Sequence, residues 1–463
     1  MMNREYDKFY MLPKEEKNKR REQVREWLMK PGNNFCSMPY AHMAIEANGQ
    51  VRPCCMGKPL DINVSGKTIG EAFTHKERSD FVDSFDRNEQ HSACNVCWQD
   101  PLNKFNTRVK FSSTDEMMPV TEAVMNGAKP IRKLNWLEVK PGNRCNLKCR
   151  ICGVHNSSMW TKDYHAMTEF MRAEMPSFKA KAFKDSDEYK YTQQCEWIDE
   201  PQIWKDIEGL DELTMIHFMG GEPFMVPEHF QLLQRLIDDP NIDTSRIFIR
   251  YNTNGTFRPT EELINIWDKF MRIQFLVSID DFGPRFEYQR KLAVWDEVKL
   301  NLQKFKRMAQ ESWNEETGIW HYSTIIDVTV SIFNIWNVGK IADEFARLGH
   351  PLNTDMNHFV TGGWNDCRIL PQEIKDHITE QHKDHENAWV HQALKYMNQD
   401  PLPNKVHDIT LFYKNMMYQD ARRNERFVDL WPELYHMITP YIDWSKVNQY
   451  KELKETKYEQ KNI

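Results

Sequence analysis

Three cysteines, Cys145, Cys149 and Cys152, stand at CxxxCxxC spacing in VKPGNRCNLKCRICG, residues 139–153, directly after the alternating run LNWLEVK. Thiolates this close along one loop can converge on a single metal centre without help from elsewhere in the chain. A cubane iron–sulfur cluster filled by protein takes four cysteines, so three leave one iron without a protein ligand. An open position separates catalytic from structural zinc in the same way. No fourth Cys or His lies at CxxC or HxxxH distance; His155 is the nearest, three residues past Cys152. An open iron can chelate a molecule that offers an amine and a carboxylate together.

A second group of cysteines comes earlier. Cys36-x12-Gly49-x4-Cys54 frames ANGQVRPC, in which Asn48-Gly49 is a tight-turn dipeptide between the strand-like runs YAHMAIEA and QVRP. Cys94-x-x-Cys97 follows after TIGEAFTHKERSDFVDSF, which reads as a helix. Cys195 and Cys367 stand apart and read as buried thiols acting as small apolar residues.

The elements that must position these groups alternate between period 2 and period 3.6. LNWLEVK (134–140), LTMIHFM (213–219), RIFIRYN (246–252), IQFLVSI (273–279), TIIDVTVSIF (324–333) and LNTDMNHFV (352–360) read as strands. Helical patterns such as PEHFQLLQRLIDD, TEELINIWDKF, VWDEVKLNLQKFKRM and VGKIADEFARLG lie between them. Such alternation predicts βαβ units and a parallel sheet. Most of the strands run into Gly, Asn, Asp or Ser at the end where a parallel barrel carries its active site. The interval 155–212 reads as an insertion, part helical and part charged. Beyond about 369 the chain is mostly helical by period. KEEKNKRREQVREW reads as a solvated basic helix.

The whole chain has 463 residues, 40% of them apolar and 28% charged, with net charge −7. That profile fits a soluble globular protein of two or three domains and gives no sign of a nucleic-acid binder. No stretch approaches the ~20 apolar residues that span a bilayer, and the start lacks a secretory pattern. The expectation is a cytoplasmic chain, where clustered cysteines mean metal more often than disulfide.

Taken in order, these residues resemble the radical S-adenosylmethionine (radical SAM) enzymes. Cys145, Cys149 and Cys152 look like the signature on the loop after the first strand. GGEP (220–223) closes the second strand and YNTNG (251–255) the third. SIDDFGPRFEYQR (278–290) is similar to the stretch in which a serine and a later arginine hold the cofactor. By this resemblance Gly220 and Gly221 admit the ligand to the backbone, and Glu222 receives its ammonium group. Ser278 and Arg290 contact ribose and carboxylate, Asp280 matches the family's own aspartate, and Asn334 belongs with this set. Two departures stand out: Ile151 occupies a position usually aromatic, and DDFG replaces a common Asp-Gly-Pro.

The N-terminal hairpin, helix and CxxC resemble the twitch module, a truncated relative of the SPASM domain. That resemblance implies one auxiliary iron–sulfur cluster on Cys36, Cys54, Cys94 and Cys97. Cys55 is an alternative to Cys54, and structural zinc an alternative to the cluster. In relatives this module follows the barrel, whereas here it precedes it.

The implied architecture is α/β, a partial (β/α)6 TIM-like barrel over 130–368. An N-terminal helix (1–30) and the hairpin/helix cluster module (31–110) come before it, and a C-terminal helical cap (369–463) after it. The implied activity is reductive cleavage of S-adenosylmethionine at the [4Fe–4S] cluster to a 5′-deoxyadenosyl radical that takes a hydrogen from a peptide, protein or small molecule. A one-electron reductant such as flavodoxin or ferredoxin would supply the electron; neither a membrane nor nucleic acid is an expected partner. The alternative is a non-catalytic iron–sulfur or zinc binding module.

Overall fold

The computed structural model describes residues 9, 12–98, 107–164, 197, 209–315, 319–354, 358–361, 363–400 and 409–447. Most of the 155–212 insertion, Cys195 and the middle of 352–360 lie outside this set. The chain divides into two compact units. The first comprises Met1–Arg144, Lys190–Asn252 and Pro259–Gln274; the second comprises Cys145–Tyr189, Thr253–Arg258 and Phe275–Ile463.

The first unit is built on a sheet of β1 (His42–Ile45), β2 (Val51–Arg52), β3 (Trp136–Val139), β5 (Met215–Phe218) and β6 (Phe248–Thr253), with β4 (Lys148–Cys149) belonging to the second unit. The spatial order is β6-β5-β3-β1-β2. β1, β3, β5 and β6 run parallel, and β2 returns antiparallel across the Asn48-Gly49 turn. Gly49 has φ +80°, the left-handed conformation that the turn demands and that glycine adopts without strain. The hairpin of the first cysteine group is therefore part of the main sheet.

Register makes the two faces of this sheet unlike each other. Met43, Leu137, Ile216 and Ile249 form one cross-strand row, and Ile45, Val139, Phe218 and Tyr251 the next. This face is wholly apolar. Phe218 and Tyr251 pack against His229 and Trp267 of the helices Glu228–Asp238 and Glu261–Trp267, with ring centroids 4.7 Å and 5.8 Å apart. The opposite face starts apolar, where Trp136, Met215 and Phe248 join Met38, Ala41, Cys54, Phe111, Met117 and Val120 in one core cluster. Two residues further along the strands it turns polar, in the row Ala44, Glu138, His217, Arg250.

The basic helix Lys14–Leu28 is more than a solvated surface element. Val24 and Leu28 are buried, and Arg20 and Arg21 pair with Glu122 and Asp115 of the same unit. The single helix expected over TIGEAFTHKERSDFVDSF is two helices, Ile69–Phe73 and Lys76–Asp86. A capping box of Thr68 and Glu71 starts the first, and the His75 side chain accepts from Glu77 N–H to start the second.

In the second unit the latter part of β7 (Arg272–Ser278) lies beside β11 (Tyr322–Asp327). Short strands complete it: β8 (Arg290–Lys291) pairs with β4, β9 (Trp313–Asn314) with β10 (Ile319–Trp320), and β12 (Thr329–Val330) runs parallel to β13 (His358–Phe359). The C-terminal part is helical, with Gln372–His382, Ala388–Met397, Ile409–Arg423 and Pro432–Ile438. The result is a mixed α/β chain with a parallel central sheet and a helical C-terminal part, compatible with the expected partial barrel. Among the described residues no helix is long and apolar enough to cross a membrane.

Ile216 is fully buried at the middle of the apolar face. Ile216→Ala should lower the urea midpoint by the equivalent of about 2–5 kcal/mol with an unchanged slope.

Candidate functional site

In the second unit the cysteine loop is fastened to SIDDFGPRFEYQR by main-chain pairing. β4 and β8 are antiparallel, with Cys149 opposite Arg290 and Lys148 opposite Lys291. Arg290 is buried, and its Nη1 donates to Cys149 Sγ at 3.9 Å. Its Nη2 lies 2.9 Å from Asp280 Oδ2. Asp280 Oδ1 accepts from the Thr329 N–H at 3.1 Å, and Asn334 Nδ2 donates to the carbonyls of Asp280 and Thr329 at 3.0 Å and 2.9 Å. Four of the residues picked out by sequence, Cys149, Asp280, Arg290 and Asn334, thus form one connected chain of contacts. Ser278 ends β7, two residues before Asp280.

The three thiols of the loop have different partners. Cys152 hydrogen-bonds to Cys149, and this bond holds the Cys149 thiol below its ordinary pKa, with help from Arg290 and against burial. Donating that hydrogen bond, together with burial, drives the Cys152 thiol well up. Cys145 Sγ accepts from the Leu147 N–H at 3.4 Å and from Asn254 Nδ2 at 3.9 Å. Asn254 also donates to Asn146 Oδ1 at 2.9 Å. It belongs to the YNTNG motif, but nothing in the motif's spacing marks it as a partner of Cys145.

Gly220, Gly221 and Glu222 lie in the first unit, at the end of β5. Gly220 has φ +108°. A Cβ on Gly221 would stand 2.1 Å from the Arg144 carbonyl oxygen, so only glycine fits there. Glu222 N–H donates to the same carbonyl at 2.8 Å, and the residue is buried. The GGE turn is thereby pressed against residues 142–144 of the same unit.

The earlier cysteines gather in the first unit. Cys36, Cys54, Cys94 and Cys97 line one cavity with Met38, Pro39, Phe85, Trp98, Phe111 and Arg108. Burial pushes the Cys36 thiol up to about 11 and Cys54 to about 12. Cys55 is absent from that lining; burial, followed by the charge of Glu138, raises its thiol well above the ordinary value. The nine described cysteines are free thiols, and Cys367 is fully buried. Among the described residues no three His, Cys, Asp or Glu side chains are arranged to hold a single metal ion.

Residues 139–320 match the family model described as Radical SAM superfamily. The match covers 182 of the 463 residues, from the last residue of β3 to β10. Cys145, Cys149, Cys152, the GGE turn, Ser278, Asp280 and Arg290 fall inside the match; Asn334 and the N-terminal cysteines fall outside it. No curated protein matches the sequence. Solved structures similar to the chain include anSMEcpe with bound AdoMet and Cp18Cys peptide, 18% identical, covering 49% of this chain and 50% of that one, TM-score 0.29. Streptococcus suis SuiB is 12% identical over 75% of this chain and 69% of that one, TM-score 0.29. TYW1 with a lysine-pyruvate adduct is 12% identical over 54% and 74%, TM-score 0.26. The chain thus spans half the length of the first of these.

The cysteine loop is also tied to the C-terminal helices of its own unit, by a residue that sequence reasoning passed over. The Arg150 side chain is fully buried; its Nη2 bonds Asp420 Oδ1 and Glu425 Oε2, both at 2.7 Å, and its guanidinium lies 3.6 Å from the Tyr288 ring centroid. Arg423 stacks 4.9 Å over Trp160, whose indole N–H holds the Cys149 carbonyl at 3.0 Å. Burial, followed by the charge of Arg150, lowers Arg423 to about 10, which leaves it charged at neutral pH. Removing one partner of a buried ion pair strands the others. Arg150→Met should therefore cost about 3–5 kcal/mol in urea unfolding of the full chain; a loss under about 1 kcal/mol, the range of a surface pair, would show that the network bears no load.

Proposed function

We propose that the chain is a radical SAM enzyme that cleaves S-adenosylmethionine reductively and uses the resulting radical on a peptide, protein or small-molecule substrate. The observation that carries this reading is the pairing of Cys149 with Arg290, which joins the three-thiol loop to the Asp280–Asn334 hydrogen-bond chain. The donor set fits a cluster: three sulfur ligands on one loop, one thiol already lowered in pKa, and a buried arginine to offset thiolate charge.

Cys145, Cys149 and Cys152 would hold a [4Fe–4S] cluster. When bound, that cluster supplies the electron that splits S-adenosylmethionine into methionine and a 5′-deoxyadenosyl radical. The chain's own part is to bind, orient and exclude water. Gly220 and Gly221 let main chain approach the methionine end of the cofactor, and Glu222 takes its ammonium. Ser278 and Arg290 serve ribose and carboxylate, while Asp280 and Asn334 keep Arg290 in place. Ile151 offers an aliphatic contact in place of an aromatic one.

An auxiliary iron–sulfur cluster on Cys36, Cys54, Cys94 and Cys97 belongs to this proposal. The shared cavity supports that set, and the different surroundings of Cys55 favour Cys54. With four thiolates its part is electron transfer, with flavodoxin or ferredoxin as the external donor.

The test is anaerobic purification, reconstitution, an iron count and assay of 5′-deoxyadenosine with dithionite and S-adenosylmethionine. About eight irons, four per cubane, and product are expected. Changing Cys145, Cys149 and Cys152 to Ala should remove about four irons and all product; changing the N-terminal four should remove the other four. A fully loaded, reducible protein that makes no 5′-deoxyadenosine would overturn the enzymatic reading. Zinc in the N-terminal set would remove only the auxiliary cluster.

A further inference from the structure

Parallel strands covered on both faces normally read as unbroken apolar runs. In the first unit one face departs from that rule while staying buried. Glu138 is 3% exposed and His217 7%, and they sit directly opposite each other on β3 and β5. Their polar atoms are only half used. His217 Nε2 donates to Asn252 Oδ1 at 2.7 Å, which leaves Nδ1 as a lone pair with no partner among the described residues. Glu138 Oε2 faces His42 Nε2 at 3.8 Å, while Oε1 is buried and has no partner among the described residues.

Two acceptors without donors, on strands about 4.8 Å apart, are costly to bury unless something that donates sits between them. Burial lowers His217 to about 4, so its ring is neutral at physiological pH. Burial alone would raise Glu138, yet His42, 3.8 Å away, holds it at about 2, so it is ionised. On the other side of Glu138 the row continues with Ala44, whose methyl offers Glu138 no polar partner.

Other charges on this face are engaged. Lys140 and Arg52 both bond Glu46, at 2.9 Å and 3.0 Å. Arg250 Nε donates to Gln274 at 2.8 Å, and its guanidinium lies 5.1 Å from the Phe248 ring centroid.

We propose that Glu138 Oε1 and His217 Nδ1 form a binding site for a cationic nitrogen of the substrate, a primary ammonium or a guanidinium. Such a group brings several N–H donors and a charge to offset the carboxylate, and charge-assisted bonds are about twice as strong as neutral ones. The site deepens the enzymatic reading above and rests on it only for the word substrate.

The experiment uses the full-length, cluster-loaded protein without oxygen and follows thermal unfolding in equal concentrations of propylammonium, methylguanidinium, propionamide and propionate at constant ionic strength. The two cations should raise Tm in a saturable way, and propionamide and propionate should not. Glu138→Gln keeps shape and removes charge; it should weaken the half-saturating concentration at least about tenfold. Should that variant fail to fold, His217→Phe carries the same test. Equal shifts with all four probes, a response kept in the variants, a preference for propionate, or no shift at all would each overturn the site. The readout is binding, so it separates the two proposals. A chain that bound the cations but made no 5′-deoxyadenosine would lose only the enzymatic reading, and one that made product but ignored the cations only this site.

Discussion

Arg290 sits between the Cys149 thiol and the Asp280 carboxylate, in a buried place where water cannot share the load. A buried guanidinium is tolerable only with such partners, so each contact in that chain depends on the next. Asp280 is held by the Thr329 N–H and by the amide of Asn334, which in turn grips the carbonyls of Asp280 and Thr329. The β4–β8 pairing fixes how far Arg290 can move from the cysteine loop. The cysteine loop gains its order from this arrangement rather than from its own short strand. Arg150 extends the same logic to Asp420 and Glu425, so the C-terminal helices act as a brace behind the loop.

The sheet of the first unit follows a different economy. One face carries the hydrophobic burden of folding, with side chains from four parallel strands against two helices. The other begins apolar and then holds carboxylate, imidazole and guanidinium groups in register. Polar side chains in such a place lose hydration, and the partial pairing of Glu138 and His217 recovers only some of it. A fold that keeps this composition spends stability that an apolar row would have saved.

Much of this was legible in the residues. Spacing alone singles out Cys145, Cys149 and Cys152, because short loops confine thiols whatever the fold around them. The strand–helix alternation is carried by period, and β3, β5, β6 and β7 fall where the pattern puts them. What escaped has physical causes. The partners of Arg150 lie 270 and 275 residues away, and no local pattern encodes a contact at that distance. The break between Ile69–Phe73 and Lys76–Asp86 turns on side-chain caps that compete with helix continuation. Cys54 and Cys55 are neighbours that spacing barely separates; in the fold Cys54 lines the cavity and Cys55 does not. Glu138 and His217 did leave a trace, as polar residues inside strands of apolar character, but a polar residue in a strand reads first as a solvent-facing one.

The parallel pairing of β1 with β3 has a consequence for how the chain can be cut. The family match begins at residue 139, the last residue of β3. The partner that covers the other side of β3 is contributed by residues 42–45, nearly a hundred positions earlier. A fragment trimmed to the matched region would lose β3 itself and leave β5 with an open row of main-chain donors and acceptors. Trimmed instead just before β3, it would leave the same kind of edge one strand over, and such edges recruit other chains. The N-terminal hairpin is thus the selvedge of the sheet, woven in before the fabric it keeps from fraying.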